Sequence, residues 1–195
     1  MRLSATPAAL FACTFAVVGS CRAWNTCDPN DIDAATLAYD DVQDSVCTTA
    51  RFWAEGSVAD EHMRPGAACL SCHQREGGPN LTIAGTLYTR RDEAVLCQGI
   101  DGTADTGRSM HLEIHDGSGA VIVVPVNKAG NFFTNAPVHF PIGDVGVFEG
   151  TTRLNPASVG GVRVHEIVAD GGAPCGDCNG CHSPRVVPGR IRPSP

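Results

Sequence analysis

Two short cysteine motifs of the same form constrain this chain more than any other feature. The sequence reads CLSCH from Cys69 to His73 and CNGCH from Cys178 to His182, so that Cys-x-x-Cys-His occurs twice. A long stretch with few cysteines separates the two motifs, in a chain of 195 residues with ten cysteines. The fold must therefore accommodate two pairs of thiols, each followed by an imidazole, at positions far apart in sequence.

The N-terminal residues predict that these cysteines leave the cytosol. One basic residue, Arg2, is followed by an apolar run too short to span a bilayer, which is typical of a signal peptide over residues 1–20. The run ends in VGSC, which resembles the lipobox of bacterial lipoproteins and implies that Cys21 is acylated. Cleavage nearby, for example after Ala23, is the alternative. We expect an exported protein of the periplasm or of the outer membrane and cell surface, bound to the membrane through a lipid anchor at Cys21.

Cys-x-x-Cys-His is the attachment sequence of c-type haem. In such sites the two thiols bond to the vinyl groups of the porphyrin, and the histidine binds the iron from below. The two motifs resemble those of c-type cytochromes, and the resemblance is confined to these ten positions. It implies two covalently attached haem c groups, with His73 and His182 as axial iron ligands. The haem-binding residues would be Cys69, Cys72, His73, Cys178, Cys181 and His182.

On this interpretation the protein is a dihaem c-type cytochrome, without a catalytic site, that transfers single electrons to redox partner proteins of the bacterial cell envelope. The alternative is a non-catalytic binding or structural β-sandwich module of the envelope, in which the Cys-x-x-Cys pairs are disulfides or share one zinc ion. A shared zinc ion requires the fold to bring the motifs together. Nucleic acid is not expected as a partner, because the net charge is -7 and the basic residues form no cluster.

Two assignments stay open at this point, the disulfide pairing and the sixth iron ligands. Four cysteines remain when those of the motifs, the export signal and the lipid anchor are set aside. They allow three pairings, and two disulfides are expected in an oxidising compartment. These cysteines are Cys27, Cys47, Cys97 and Cys175. The sixth iron ligands are equally open. Their candidates are His62, His111, His115, His139, His165, Met63 and Met110.

Residues 81–168 predict a β-sandwich. The phrases LTIAGTLY and MHLEIHD alternate apolar and polar residues, and DGSG and NKAG are typical turn sequences between strands. The phrases IAGTLY, HDGSGAV and NKAGNFF resemble the carboxypeptidase regulatory-like domain, a transthyretin-like sandwich. The resemblance implies a non-catalytic module of mainly β class, with a single small antiparallel sandwich.

The predicted organisation has five segments. A signal peptide over residues 1–20 precedes an N-terminal arm over 21–62, which is helical or irregular. The first motif lies in an irregular haem segment over 63–80, and the sandwich follows over 81–168. The second motif lies in an irregular segment and tail over 169–195.

The lipid anchor generates the first prediction. Substitution of Cys21→Ser removes the only acceptor for the acyl chains, so we expect the protein to move from the membrane fraction to the soluble fraction. Cell fractionation and immunoblotting measure the distribution. An unchanged distribution in the variant would show that processing occurs elsewhere, such as after Ala23.

Overall fold

The computed structural model describes residues 47, 48, 50–53, 60–94, 97–155, 176–182 and 189–193. It confirms the mainly β class, because the described residues form six strands in two antiparallel sheets and two short α-helices. Most of the predicted N-terminal arm, and the end of the predicted sandwich segment over residues 156–168, lie outside the described residues. In chain order the elements are α1 (Cys69–Glu76), β1 (Ile83–Thr86), a 3-10 turn (Ala104–Thr106), β2 (Met110–His115), β3 (Val121–Pro125), β4 (Asn131–Thr134), β5 (Asp144–Glu149), β6 (Thr152–Arg153) and α2 (Cys178–Cys181).

The larger sheet has the strand order β3-β2-β5-β6, with every pair antiparallel. In β2, buried and half-buried side chains alternate, as the sequence pattern predicts, because successive side chains of a strand point to opposite faces. Leu112 lies in the middle of the buried face and is opposite Val124 on β3 and Val147 on β5. β3 is an edge strand, which tolerates Pro125 because proline cannot donate a hydrogen bond to a ladder.

Asparagine and aspartate side chains close the two predicted turns. At the turn between β2 and β3, Asp116 Oδ1 accepts hydrogen bonds from the backbone N–H groups of Ser118, at 2.9 Å, and Ala120, at 3.0 Å. At the turn between β3 and β4, Asn127 Oδ1 accepts from the N–H groups of Ala129 and Asn131, both at 3.0 Å. Such side chains mimic a backbone turn, which is why these sequences predict the connections correctly.

The smaller sheet, β1-β4, brings the C-terminal residues onto the body of the fold. One side of β1 pairs with β4, from Ile83 opposite Thr134 onwards. On the other side the chain returns in parallel, with isolated bridges from Ala84 to Asp177 and from Leu87 to Ile191. All four residues of β1 are buried as a result. Asp177 immediately precedes the second motif, so this pairing carries that motif to β1.

A hydrophobic core fills the space between the sheets. It draws on both sheets and on the connections between them, which is the usual arrangement for two packed layers. Its buried members are Ile83, Leu87, Ile100, Met110, Leu112, Ile114, Val124, Val126, Phe132, Ile142 and Val147. No helix in the described part of the chain is both long and apolar enough to cross a membrane.

A disulfide between Cys47 and Cys97 fastens the start of the described chain to the body, with a Cα–Cα distance of 5.5 Å. Both cysteines are buried in a small cluster with Tyr88 and Ala94. Of the three pairings that the sequence allows, the structure therefore selects the one with Cys47 joined to Cys97. Cys27 and Cys175 lie outside the described residues.

This disulfide generates a stability prediction. The bonded cysteines are separated by 50 positions, and closing a loop of that size in the unfolded chain corresponds to about 4 kcal/mol. We expect the double substitution Cys47→Ser and Cys97→Ser to lower the free energy of unfolding by about that amount, measured by denaturant titration. Equal stability of the variant and the oxidised wild type would contradict the pairing.

Candidate functional site

The first motif lies on helix α1, contrary to the prediction of an irregular segment. Positions i, i+3 and i+4 of a helix share one face, so Cys69, Cys72 and His73 lie on the same side of α1. The helix ends at Gly77, whose φ of 75° is the left-handed conformation that favours glycine. The N–H of Gly78 then donates to His73 O at 2.8 Å.

The second motif forms the single helical turn α2, which packs directly on β1. Cys178 and Cys181 begin and end the turn, and the N–H of His182 donates to Cys178 O at 2.8 Å. Contact with the strand requires a glycine at position 85, because a Cβ there would lie 2.9 Å from the Cβ of Cys178 and 2.5 Å from Phe132 Cζ. The glycine in IAGTLY thus serves the approach of the second motif.

Asn179, between the two cysteines of the second motif, joins this motif to β1 and to the first motif. Its Oδ1 accepts from the N–H of Thr86 at 3.1 Å. Its Nδ2 donates to Thr86 Oγ1 at 3.1 Å and to Ala67 O at 2.9 Å. Asn179 and Thr86 are buried, so each of these bonds replaces water that the groups have lost.

Asp177 makes a second connection between the motifs. Its Oδ2 accepts from both the N–H and the Oγ of Ser71, a residue inside the first motif, at 3.1 Å each. Asp177 is buried, and burial raises the pKa of its carboxyl group to about 6. We call the set Ser71, Thr86, Asp177 and Asn179 the motif junction.

The thiols of Cys69 and Cys178, beside the motif junction, are poor nucleophiles because their pKa values are raised. Cys69, Cys72 and Cys178 form no disulfide and are half-buried. Burial, followed by the negative charge of Asp177, raises the pKa of the Cys178 thiol to about 12, and the same two causes raise the pKa of Cys69 well above its usual range. Both groups are therefore neutral thiols at pH 7, whereas nucleophilic attack requires the thiolate.

Backbone carbonyls hold the two motif histidines in the same way. His73 Nδ1 lies 3.0 Å from Pro79 O, and His182 Nδ1 lies 3.0 Å from Gly189 O. A carbonyl oxygen only accepts hydrogen bonds, so Nδ1 carries the hydrogen in both rings. Burial lowers the pKa of His182, which keeps that imidazole neutral at pH 7.

The structure contradicts the prediction of two haem c groups. No haem-binding site is shown at either Cys-x-x-Cys-His motif within the described residues. Instead the motifs pack on β1 and on each other, and the buried side chains of Asp177 and Asn179 occupy the contact between them. A porphyrin would need an open face beside each motif, whereas the half-buried thiols of Cys69 and Cys178 are enclosed enough for burial to raise their pKa. Among the described residues the disulfide joins Cys47 to Cys97, which lie outside both motifs.

The alternative of a single shared zinc ion stays a prediction from the sequence. The fold does bring the two motifs together, which such an ion requires. Within the described ranges, however, the only three metal-binding atoms that lie within 4.8 Å of one another belong to Cys47, Glu93 and Cys97. Two of those residues form the disulfide, so this group holds no metal site.

The candidates for a sixth iron ligand are dispersed over the fold. His111 and His115 lie on the outward face of β2, and Met110 is part of the core. His139 bonds through Nδ1 to Asp116 Oδ2 at 3.2 Å, and His62 lies beside Trp53 with 5.5 Å between ring centroids. Met63 contributes a backbone carbonyl to Asn131, and His165 lies outside the described residues.

Sequence reasoning missed the residues that build the motif junction. Ser71 and Asn179 occupy variable positions inside the motifs, and Asp177 lies just before one, so proximity to the cysteines was the only available signal. Arg190 was missed as well. It is buried near the junction, and its Nη1 donates to Gly66 O at 3.0 Å and to His182 O at 3.1 Å.

Comparisons with protein-family models, with curated proteins and with solved structures return no match. The function is therefore inferred from the chemistry of the motif junction itself.

The raised pKa of Asp177 generates a pH prediction. The carboxyl group binds its proton more tightly in the folded protein, at a pKa of about 6, than at its ordinary value of 3.8. The folded state thus holds more protons between these values, and the free energy of unfolding falls as the pH rises from about 4 to about 6, by up to roughly 3 kcal/mol.

Denaturant titrations at several pH values measure this effect. We expect Asp177→Asn to remove most of the decrease, because the amide is neutral throughout. The exposed Asp105, substituted Asp105→Asn, is the matched control and should leave the decrease in place. A decrease of the same size in the Asp177→Asn variant would assign the pH dependence to another group.

Proposed function

We propose that the chain is an exported, non-catalytic structural module of the bacterial cell envelope, anchored through Cys21, in which the two Cys-x-x-Cys-His motifs together form a structural junction. One observation carries the proposal. Asn179, inside the second motif, uses its side chain to bind Thr86 of β1 and Ala67 next to the first motif. The role of the motifs is to close the fold at its C-terminal end.

The state of the thiols supports a structural role. A thiol that acts as a nucleophile must ionise, and positive charge or a helix N-terminus usually assists it. Here burial and the neighbouring carboxylate of Asp177 both oppose ionisation of Cys69 and Cys178. Neutral, half-buried thiols behave as small apolar side chains, which suits a packed contact.

The histidines support the same proposal. Each ring follows the second cysteine of its motif and donates to a carbonyl a few residues further along, at Pro79 or Gly189. These hydrogen bonds fix the position of the residues that follow each motif. One-electron transfer with envelope redox proteins stays a prediction from the sequence, which nothing in the described residues tests.

Substitution at Asn179 tests the structural role. The change Asn179→Ala leaves the buried N–H of Thr86 and the carbonyl of Ala67 without their partner, so we expect the free energy of unfolding to fall by roughly 3 kcal/mol. Asn135→Ala, at an exposed asparagine, is the matched control and should change it by less than about 0.5 kcal/mol. Equal stability of the two variants would contradict the proposal.

Mass analysis of the peptides that contain each motif tests the proposal independently. After export and purification, peptides that include residues 69–73 and 178–182 should have the masses of their amino acids alone. A covalent group on either peptide, together with a visible absorbance band of the intact protein, would contradict a purely structural junction.

A further inference from the structure

Two buried side chains beside the motif junction carry hydrogen-bond donors that have no acceptor. Arg190 is 2% exposed and Tyr88 is 0% exposed. Neither Arg190 Nη2 nor Tyr88 Oη has a hydrogen-bond partner within the described part of the chain. Buried donors without acceptors are rare in folded proteins, because their interactions with water have been lost.

Both donors lie at the same place. A Cβ built on Gly66 would be 2.5 Å from Tyr88 Oη and 2.9 Å from Arg190 Nη2. Gly66 is itself fixed, since its N–H donates to Thr86 Oγ1 at 2.8 Å and its carbonyl accepts from Arg190 Nη1 at 3.0 Å. The two side chains also contact each other, with the guanidinium carbon 5.1 Å from the Tyr88 ring centroid. The donors therefore converge next to the α-carbon of Gly66.

The Arg190 guanidinium brings positive charge to this place. Within the described residues its other donors bind neutral carbonyls, at Glu93, Gly66 and His182. The carboxylate of Glu93 acts on Arg190 only from beyond hydrogen-bond distance, because it accepts hydrogen bonds from the N–H and the Oγ1 of Thr48, at 2.9 and 2.8 Å. Burial raises the pKa of Cys69 and of Tyr88, so that both neighbours are neutral at pH 7. Among the described residues, no carboxylate contacts the guanidinium.

We propose that Tyr88 Oη and Arg190 Nη2 form a buried binding site for a small monovalent anion such as chloride. The donor count favours an anion over water. Tyr88 offers one O–H and Nη2 offers two N–H groups. A water molecule would bring two further hydrogens, of which the Tyr88 oxygen could accept one, so the other would still need an acceptor. A halide accepts from every donor, donates nothing, and lies against the positive charge of Arg190.

Binding of an anion at this site would stabilise the contact between the two motifs. Nη1 of the same guanidinium binds Gly66 O, before the first motif, and His182 O, at the end of the second. An anion on Nη2 fixes the orientation of the guanidinium and therefore both of these bonds. The bound anion and the motif junction then act on the same contact between the two motifs.

Thermal unfolding of the full chain in different sodium salts tests the site. Chloride and bromide are compared with gluconate, a much larger anion, at equal pH and ionic strength, so that screening is the same. We expect the two halides to raise the unfolding midpoint by a few degrees, saturating with concentration as binding to the folded state requires. Tyr88→Phe keeps the ring and removes the O–H, so it should abolish most of this halide effect.

Arg190→Lys, which keeps the charge but removes Nη2, should also lose the halide effect. Arg90→Lys, at an exposed arginine paired with Asp92, should retain it. Equal midpoints of the wild type in chloride and gluconate would overturn the proposal, as would a full halide effect in Tyr88→Phe. The Tyr88→Phe comparison decides the question if Arg190→Lys does not fold.

Discussion

The rest of the site depends on the hydrogen bonds of one group, the hydroxyl of Thr86. It donates to Asn131 Oδ1 at 2.8 Å, and it accepts from the N–H of Gly66 at 2.8 Å and from Asn179 Nδ2 at 3.1 Å. A hydroxyl has one donor and two acceptor positions, so its capacity is fully used. This buried group joins β1 to β4, to the segment before the first motif, and to the second motif. The positions of both motifs follow from it.

The strands could be predicted from the sequence because their information is local. Leu112 and Ile114 alternate with polar residues, and Asp116 and Asn127 mark turns by chemistry that acts over a few residues. The body of the fold is built from such short-range patterns. Helix α1 could not be predicted in this way, since its eight residues are fewer than a periodic pattern needs and packing on β1 supports it.

The candidate site could be located from the sequence, but its chemistry could not be assigned. Cys-x-x-Cys-His predicts a thiol and imidazole site, and the structure does place both motifs together. Whether the thiols bind a group or lie in a packed contact depends on what surrounds them. The decisive neighbours are Asn179 with Thr86 and Asp177 with Ser71, pairs far apart in sequence that no local pattern connects. The pairing of Cys47 with Cys97 could not be predicted from the sequence for the same reason.

The pairing of β1 with residues far along the chain has a consequence for folding. Ala84 and Leu87 find their second neighbours at Asp177 and Ile191. A polypeptide is synthesised from its N-terminus, so these residues follow β1 and the first motif by a long stretch of sequence. Until they are available, one side of β1 has open backbone groups and the thiols of the first motif lack their cover. Strand β1 is thus completed late in folding, by contacts of high sequence separation, rather than as the polypeptide emerges.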